Sequence, residues 1–184
     1  GSGGGGFRVI KFANNGTSHE HGDAVFTTGP DVPTSLLLQS DGKAIITGYA
    51  TNSGTLNDFA IARFDVATTP FIDTSYGANG IATFDFGSAT DDFSYASNIT
   101  ASNEVIMVGS AKPAQGEDFA ALKVSSTGIL DTASFASGSS GLLIVDIDGD
   151  AGAGTNKSIG KAVLEDSSGT LFFGIDKGNS NVDS

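Results

Sequence analysis

Two short segments carry residue types that bind cations. Asp146-Ile147-Asp148-Gly149-Asp150 alternates carboxylates around a glycine, an oxygen-rich, sharply turning arrangement of the kind a hard cation such as Ca2+ takes. The twelve-residue calcium loop is incomplete, because no Glu closes it. The competing reading of Asp146, Asp148 and Asp150 is a strand end running into an Asp/Gly turn, as at Asp85-Phe86-Gly87. His19-Glu20-His21, with Asp23 nearby, would place two imidazoles on one side of an extended segment, and two His with a carboxylate suit zinc. That segment fills the place of Asp73 to Gly77 in the next repeat, where nothing ligates, so a solvated loop is expected.

No catalytic constellation accompanies these residues. His19 and His21 are the only histidines and neither sits beside a nucleophile, while no Gly-x-Ser-x-Gly or paired-carboxylate motif stands out. An enzyme is not expected. Three sequons make Asn15, Asn98 and Asn156 glycosylation candidates, although a chain rich in Asn, Ser and Thr produces such triplets by chance. Asn98 falls in a strand, where alternation must turn it outward if it is to carry glycan.

Composition narrows the partners. With 21 acidic and nine basic residues the formal charge is −12, which argues against nucleic acid and anionic membranes, since both need a basic footprint. Thirteen of the sixteen aromatic residues are Phe and none is Trp, so the aromatic content reads as core filling. Without cysteine there is neither a disulfide framework nor a thiolate zinc site. No apolar run reaches the roughly 20 residues that cross a bilayer as a helix. No basic-then-apolar leader opens the chain, so an exported protein is expected in mature form. Residues 1–6 read as a flexible Gly-rich segment.

The elements that must position any site come from internal repeats. Phe7-Arg8-Val9-Ile10-Lys11-Phe12 matches Phe59 to Phe64 and Phe119 to Val124, with Phe opening all three and a basic residue fifth. A second anchor is an apolar run ending in Gly: Ala44 to Gly48, Val105 to Gly109 and Leu171-Phe172-Phe173-Gly174. Each run follows a Gly- or Asn-containing turn, a hairpin signal because these residues tolerate positive φ. One unit then has four strands: a (residues 36–39), b (43–50), c (58–65) and d (80–86), with Ala24-Val25-Phe26-Thr27 filling the d slot in the first copy.

These residues resemble the delta-60 repeat family, through Leu38-Gln39-Ser40-Asp41-Gly42-Lys43, Asn57 to Phe64 and Ile72-Asp73-Thr74-Ser75-Tyr76-Gly77. The third copy drifts, with Asp131-Thr132-Ala133-Ser134-Phe135 replacing the usual loop. The resemblance implies a β-propeller-type blade in bacterial surface or secreted proteins, and no catalytic residues.

The expected fold is therefore all-β: one domain over 7–184 made of three four-stranded antiparallel propeller-like units. Two are whole (about 35–86 and 97–147). The third is split, with 162–175 completed by 7–28. Strand b at Leu171, Phe172, Phe173 and Gly174 is then an acceptor edge, and its natural partner is the strand bearing Phe7, Val9, Ile10 and Phe12. Three arrangements satisfy that edge: closure within the chain, donation of the N-terminal strand to another copy, or continuation in a longer array. Three blades are few for a closed propeller, whereas head-to-tail donation gives a ring or a fibre. The expected function is a non-enzymatic structural subunit of an extracellular or cell-surface homopolymer, with self as partner, glycan as a further one, and no cofactor other than Ca2+. The alternative is a closed propeller-like module binding carbohydrate or protein.

Overall fold

A computed structural model describes residues 5–17, 19–26, 29–67, 69–87, 90–111, 116–147 and 157–178. Within these the chain is all-β and forms four antiparallel sheets. Sheet I pairs β1 (Phe7–Phe12) with β2 (His19–Ala24). Sheet II contains β3 (Asp31–Leu38), β4 (Ala44–Asn52), β5 (Leu56–Asp65), the two-residue β6 (Phe71–Ile72) and β7 (Ile81–Phe84). Sheet III runs β8 (Phe93–Ile99), β9 (Val105–Ala111), β10 (Asp118–Val124), β11 (Leu142–Val145). Sheet IV pairs β12 (Lys157–Glu165) with β13 (Leu171–Gly178).

The expected a-b-c-d succession is the strand order of sheets II and III; sheet IV holds an a-b pair and sheet I a c-d pair. Sheet II has five strands rather than four, because the chain after β5 doubles back to pair Phe64 with Ile72 before β7 pairs further along β5. In sheet III the same return shrinks to a single bridge, Val124 to Leu130. The d slot of sheet I is also earlier than expected. Strand β2 spans His19–Ala24, because the ladder with β1 runs uninterrupted from Phe7↔Ala24 to Phe12↔His19; of the expected Ala24 to Thr27, Val25 and Phe26 lie beyond the strand and Thr27 lies outside the described residues. The His19-Glu20-His21 segment is thus strand and not loop.

The b and c strands of sheets II and III are continuous apolar runs because both of their faces are covered. Sheet II lies between sheets I and III, and sheet III between II and IV, with one apolar core at each junction. Phe7, Val9 and Ala24 pack on Ala44, Ile46, Ala60, Ala62 and Phe64. Ile45, Phe59, Ile61 and Tyr76 pack on Val105, Met107, Leu122 and Val124. Ile106, Val108, Phe119 and Ala121 pack on Val163, Leu171 and Phe173. The three Phe that open the c strands, Phe7, Phe59 and Phe119, are 0%, 0% and 2% exposed, which explains why that position repeats: each fills the junction with the following sheet.

The basic residue that recurs fifth in each c strand answers a different need. Arg63 is buried at the II–III junction with its guanidinium 4.5 Å from the ring centroid of Tyr76. It donates to Asp73 at 3.0 Å, to the Ser126 carbonyl at 2.8 Å and to Ser75 at 3.1 Å, and Lys43 reaches the same Asp73 at 2.8 Å. Burial opposes ionisation of Asp73, yet the hydrogen bonds from Lys43 and Ser75 and the charge of Arg63 outweigh it and hold the carboxyl well below its ordinary value. In sheet III Lys123 does this work with Asp131 (2.8 Å) and Glu104 (3.5 Å). In sheet I Lys11 bonds the carbonyls of Val66 and Ala67.

One sequence anchor is displaced. Strand a bulges at the same place in three sheets: between Pro33 and Ser35 opposite Gly48 and Thr47, between Ser94 and Ala96 opposite Gly109 and Val108, and between Gly160 and Ala162 opposite Ile175 and Gly174. The left-handed turn residues Gly42, Asn103 and Gly169 keep the same spacing. The residue equivalent to Gly48 and Gly109 is therefore Ile175, not Gly174. A one-residue slip inverts every side chain on a strand. It puts Leu171 and Phe173 against sheet III and turns Phe172 outward, 56% exposed.

Candidate functional site

The half-sheets I and IV sit at opposite ends of the stack. Among the described residues β1 pairs with β2 alone and β13 with β12 alone, so each leaves one edge open. An open edge presents unpaired N–H and C=O groups, which makes it a template for another strand. The edge of β1 carries Phe7 and Val9 buried toward sheet II, and Arg8, Ile10 and Phe12 on the outer face, where Ile10 and Phe12 are 47% and 59% exposed. The hairpin behind it is locked by Arg8, whose guanidinium meets Asp23 at 2.6 and 2.8 Å. That hydrogen bond holds the Asp23 carboxyl below its ordinary value.

Beside this edge the face of β3 toward sheet I is uncovered. Leu36 and Leu38 share a face with the buried Ile46 and Ala44, their ladder partners, yet are 63% and 64% exposed. A groove of about 260 Å³ runs there, lined by Val9, Ile10, Pro33, Ser35, Leu36 and Ile46. The same deficit appears on sheet IV, where Leu164 and Phe172 pair across the ladder and both are exposed.

Sheet IV sits on sheet III as a complete sheet would. Strand β12 crosses β8, β9 and β10, just as β8 crosses β3, β4 and β5. The contact between consecutive sheets also repeats by position. At the II–III junction Thr47 Oγ1 lies 2.8 Å from Ser97 Oγ, and at III–IV the equivalent residues Val108 and Val163 share the apolar core. The next residues in these two series are Gly174 on sheet IV and Leu36 on sheet II. In the two pairs that meet, polar faces polar and aliphatic faces aliphatic. The bulge opposite Ile175 is what makes Gly174 the equivalent of Thr47 and Val108.

The remaining sequence candidates are dispersed. Asp146 is exposed just beyond β11, and Asp148 and Asp150 lie outside the described residues. His19 and His21 line the outer face of sheet I, opposite Phe12 and Ile10, with the His19 and Phe12 rings 5.6 Å apart. Asn15 is exposed in the β1–β2 turn, where its Oδ1 accepts from Thr17 N and Oγ1. Asn98 is half-buried and shares a ladder rung with Ile106, on the face toward sheet IV rather than outward. Asn156 lies outside the described residues. Among the described residues no helix is long and apolar enough to cross a membrane.

No protein-family model and no curated protein matches the chain.

Proposed function

We propose that the chain is a non-enzymatic structural subunit of an extracellular homopolymer, built by joining the β1 edge of one copy to the β13 edge of another. The observation that carries this reading is the placement of an a-b hairpin and a c-d hairpin at opposite ends of the stack, each with an open edge. The donated element is a hairpin already paired and packed on its own sheet II. Assembly is therefore edge-to-edge completion of a propeller-like blade, and no strand has to be extracted first.

The ladders of sheets II and III specify the register. Gly48 pairs with Ala60 and Gly109 with Ala120, so Ile175 takes Arg8 of the incoming copy, Phe173 takes Ile10, Phe172 takes Lys11 and Leu171 takes Phe12. This register buries Ile10 and Phe12 on the face where Leu171 and Phe173 cover sheet III. It also buries Phe172 and Leu164 against Leu36 and Leu38 of the incoming copy. The exposed apolar side chains at both ends of the stack are thereby covered, which is the driving term for association. Main-chain hydrogen bonds between the edges supply direction, and a head-to-tail contact of this kind propagates unless its rotation closes a ring. Acidic composition and delta-60-like repeats support a surface or secreted location.

Negative-stain electron microscopy of the intact protein tests the reading. Fibres or rings of constant width support it. Discrete particles of single-chain size, at concentrations where the edges should be filled, would sink it and favour either a closed binding module or coverage of the edges by a flanking segment of a longer chain.

A further inference from the structure

We propose that Asp58, Asp85 and Asp92 form a Ca2+ site at the junction of sheets II and III. Asp58 lies in β5, Asp85 directly follows β7 and Asp92 directly precedes β8, so the fold converges three carboxylates that the sequence separates. One oxygen from each lies within 4.8 Å of the other two. Oxygen ligands at 2.3–2.6 Å from a shared calcium ion can be up to about 5 Å apart, so one ion spans the set.

A second observation comes from Asp58 itself. The residue is 2% exposed, and its Oδ2 is held by Asn52 Nδ2 at 2.5 Å and Thr55 Oγ1 at 2.6 Å. Its Oδ1 is buried as well and has no hydrogen-bond partner. A carboxylate oxygen removed from water and given no donor is costly, and a cation is the partner that offsets the cost. The donors to Asp58 and Asp85 are uncharged: an amide, a hydroxyl and the Gly87 backbone N–H.

Burial differs across the three in a way that suits ion entry. Asp58 and Asp92 are enclosed while Asp85 is exposed, so one side of the set opens to solvent and to water ligands. An all-oxygen set selects a hard cation. Carboxylates fixed by three separate segments suit the variable geometry of Ca2+ better than the strict octahedron of Mg2+. The net charge of −12 concentrates cations around the molecule.

Among the described residues the set of three carboxylates occurs at this junction alone. The positions equivalent to Asp58, Asp85 and Asp92 are Asp118, Asp146 and Ser158 at the III–IV junction, and Gly6, Val25 and Asp31 at I–II. Asp146, singled out in the sequence, is thus the counterpart of Asp85 in a set lacking its third carboxylate.

Isothermal titration of the EDTA-treated full chain with CaCl2 at pH 7, paired with melting curves with and without calcium, tests the site. The expected result is one saturable site per chain, with Kd on the order of 10⁻⁴ M as in extracellular calcium modules, and a higher Tm in calcium. Asp85→Asn changes an exposed residue, so its calcium-free Tm should match the parent while its affinity falls at least tenfold. Asp146→Asn should leave binding unchanged. Absence of saturable heat and of any Tm shift at millimolar CaCl2 overturns the proposal, and so does undiminished binding by Asp85→Asn.

Discussion

Ile175 stands in sheet IV where Gly109 stands in sheet III: each is the last residue paired before the neighbouring strand a bulges. At Gly109 a Cβ would overlap the carbonyl oxygen of Phe93, and at Gly48 that of Val32. In sheet IV the facing residue of strand a is Gly160, where a Cβ would meet Gly109 N, Val108 and Phe119 of sheet III at 3.0 Å, so the glycine on that rung serves the packing of sheet IV on sheet III. Gly109→Ala is expected to destabilise the chain by at least about 2 kcal/mol, the scale of overpacking a closed interior, read as a lower urea midpoint with unchanged m-value. A midpoint equal to that of the parent would show that the bulge does not demand glycine.

The register of the proposed joint can be trapped covalently, because the chain has no cysteine of its own. Phe172 and Lys11 occupy positions equivalent to Ile45 and Arg63, which share a rung in sheet II. Arg63 directs both its N–H and its C=O to the other side, toward Gly80 and Asp73. The rung is therefore non-hydrogen-bonded, with Cα atoms about 4.5 Å apart, within disulfide range. Phe172→Cys with Lys11→Cys is expected to give a ladder of covalent oligomers on mild oxidation, seen on a non-reducing gel. Phe172→Cys with Ile10→Cys, the pairing that aligning Gly174 with Gly48 would produce, is expected to stay largely monomeric; the reverse pattern would disprove the register.

Acid should weaken the fold through Asp73 and Asp131. Asp131 is held below its ordinary value by hydrogen bonds from Lys123 and Ser134, and Asp73 by Lys43, Ser75 and Arg63 against the opposing effect of burial. A depressed folded-state pKa means stability that is complete above the unfolded carboxyl value of about 4 and lost as pH falls from there through the lowered value. The Tm should therefore be flat from neutral pH to about 5 and fall steeply below 4. Asp73→Asn should cost on the order of 2 kcal/mol at pH 7, since Arg63 is left buried without its anion, and should flatten the acid slope. An unchanged slope would show that this cluster does not govern acid stability.

The repeats, the c strands and the a-b turns were legible because each imposes a local demand: a Phe at every sheet junction, a Gly or Asn where φ is positive. The β1–β2 hairpin was legible only in part. His19-Glu20-His21 is polar and exposed, so nothing in its composition announces a strand, and its ladder with Phe12, Lys11 and Ile10 comes from pairing alone. The glycine of the third copy misled for a related reason. A lone Gly after an apolar run looks the same on either side of a one-residue slip, and the slip is decided by the bulge in the partner strand.

The sequence by itself determined that the chain is all-β and that its strand pattern recurs, because hydrophobic alternation and turn chemistry are local and survive without neighbours. Tertiary structure decided that the β1–β2 and β12–β13 hairpins lie apart with open edges, that Phe172 faces outward, and that Asp58, Asp85 and Asp92 meet. Those facts depend on which sheet packs on which and in what register, and such relations arise between residues that the chain keeps far apart.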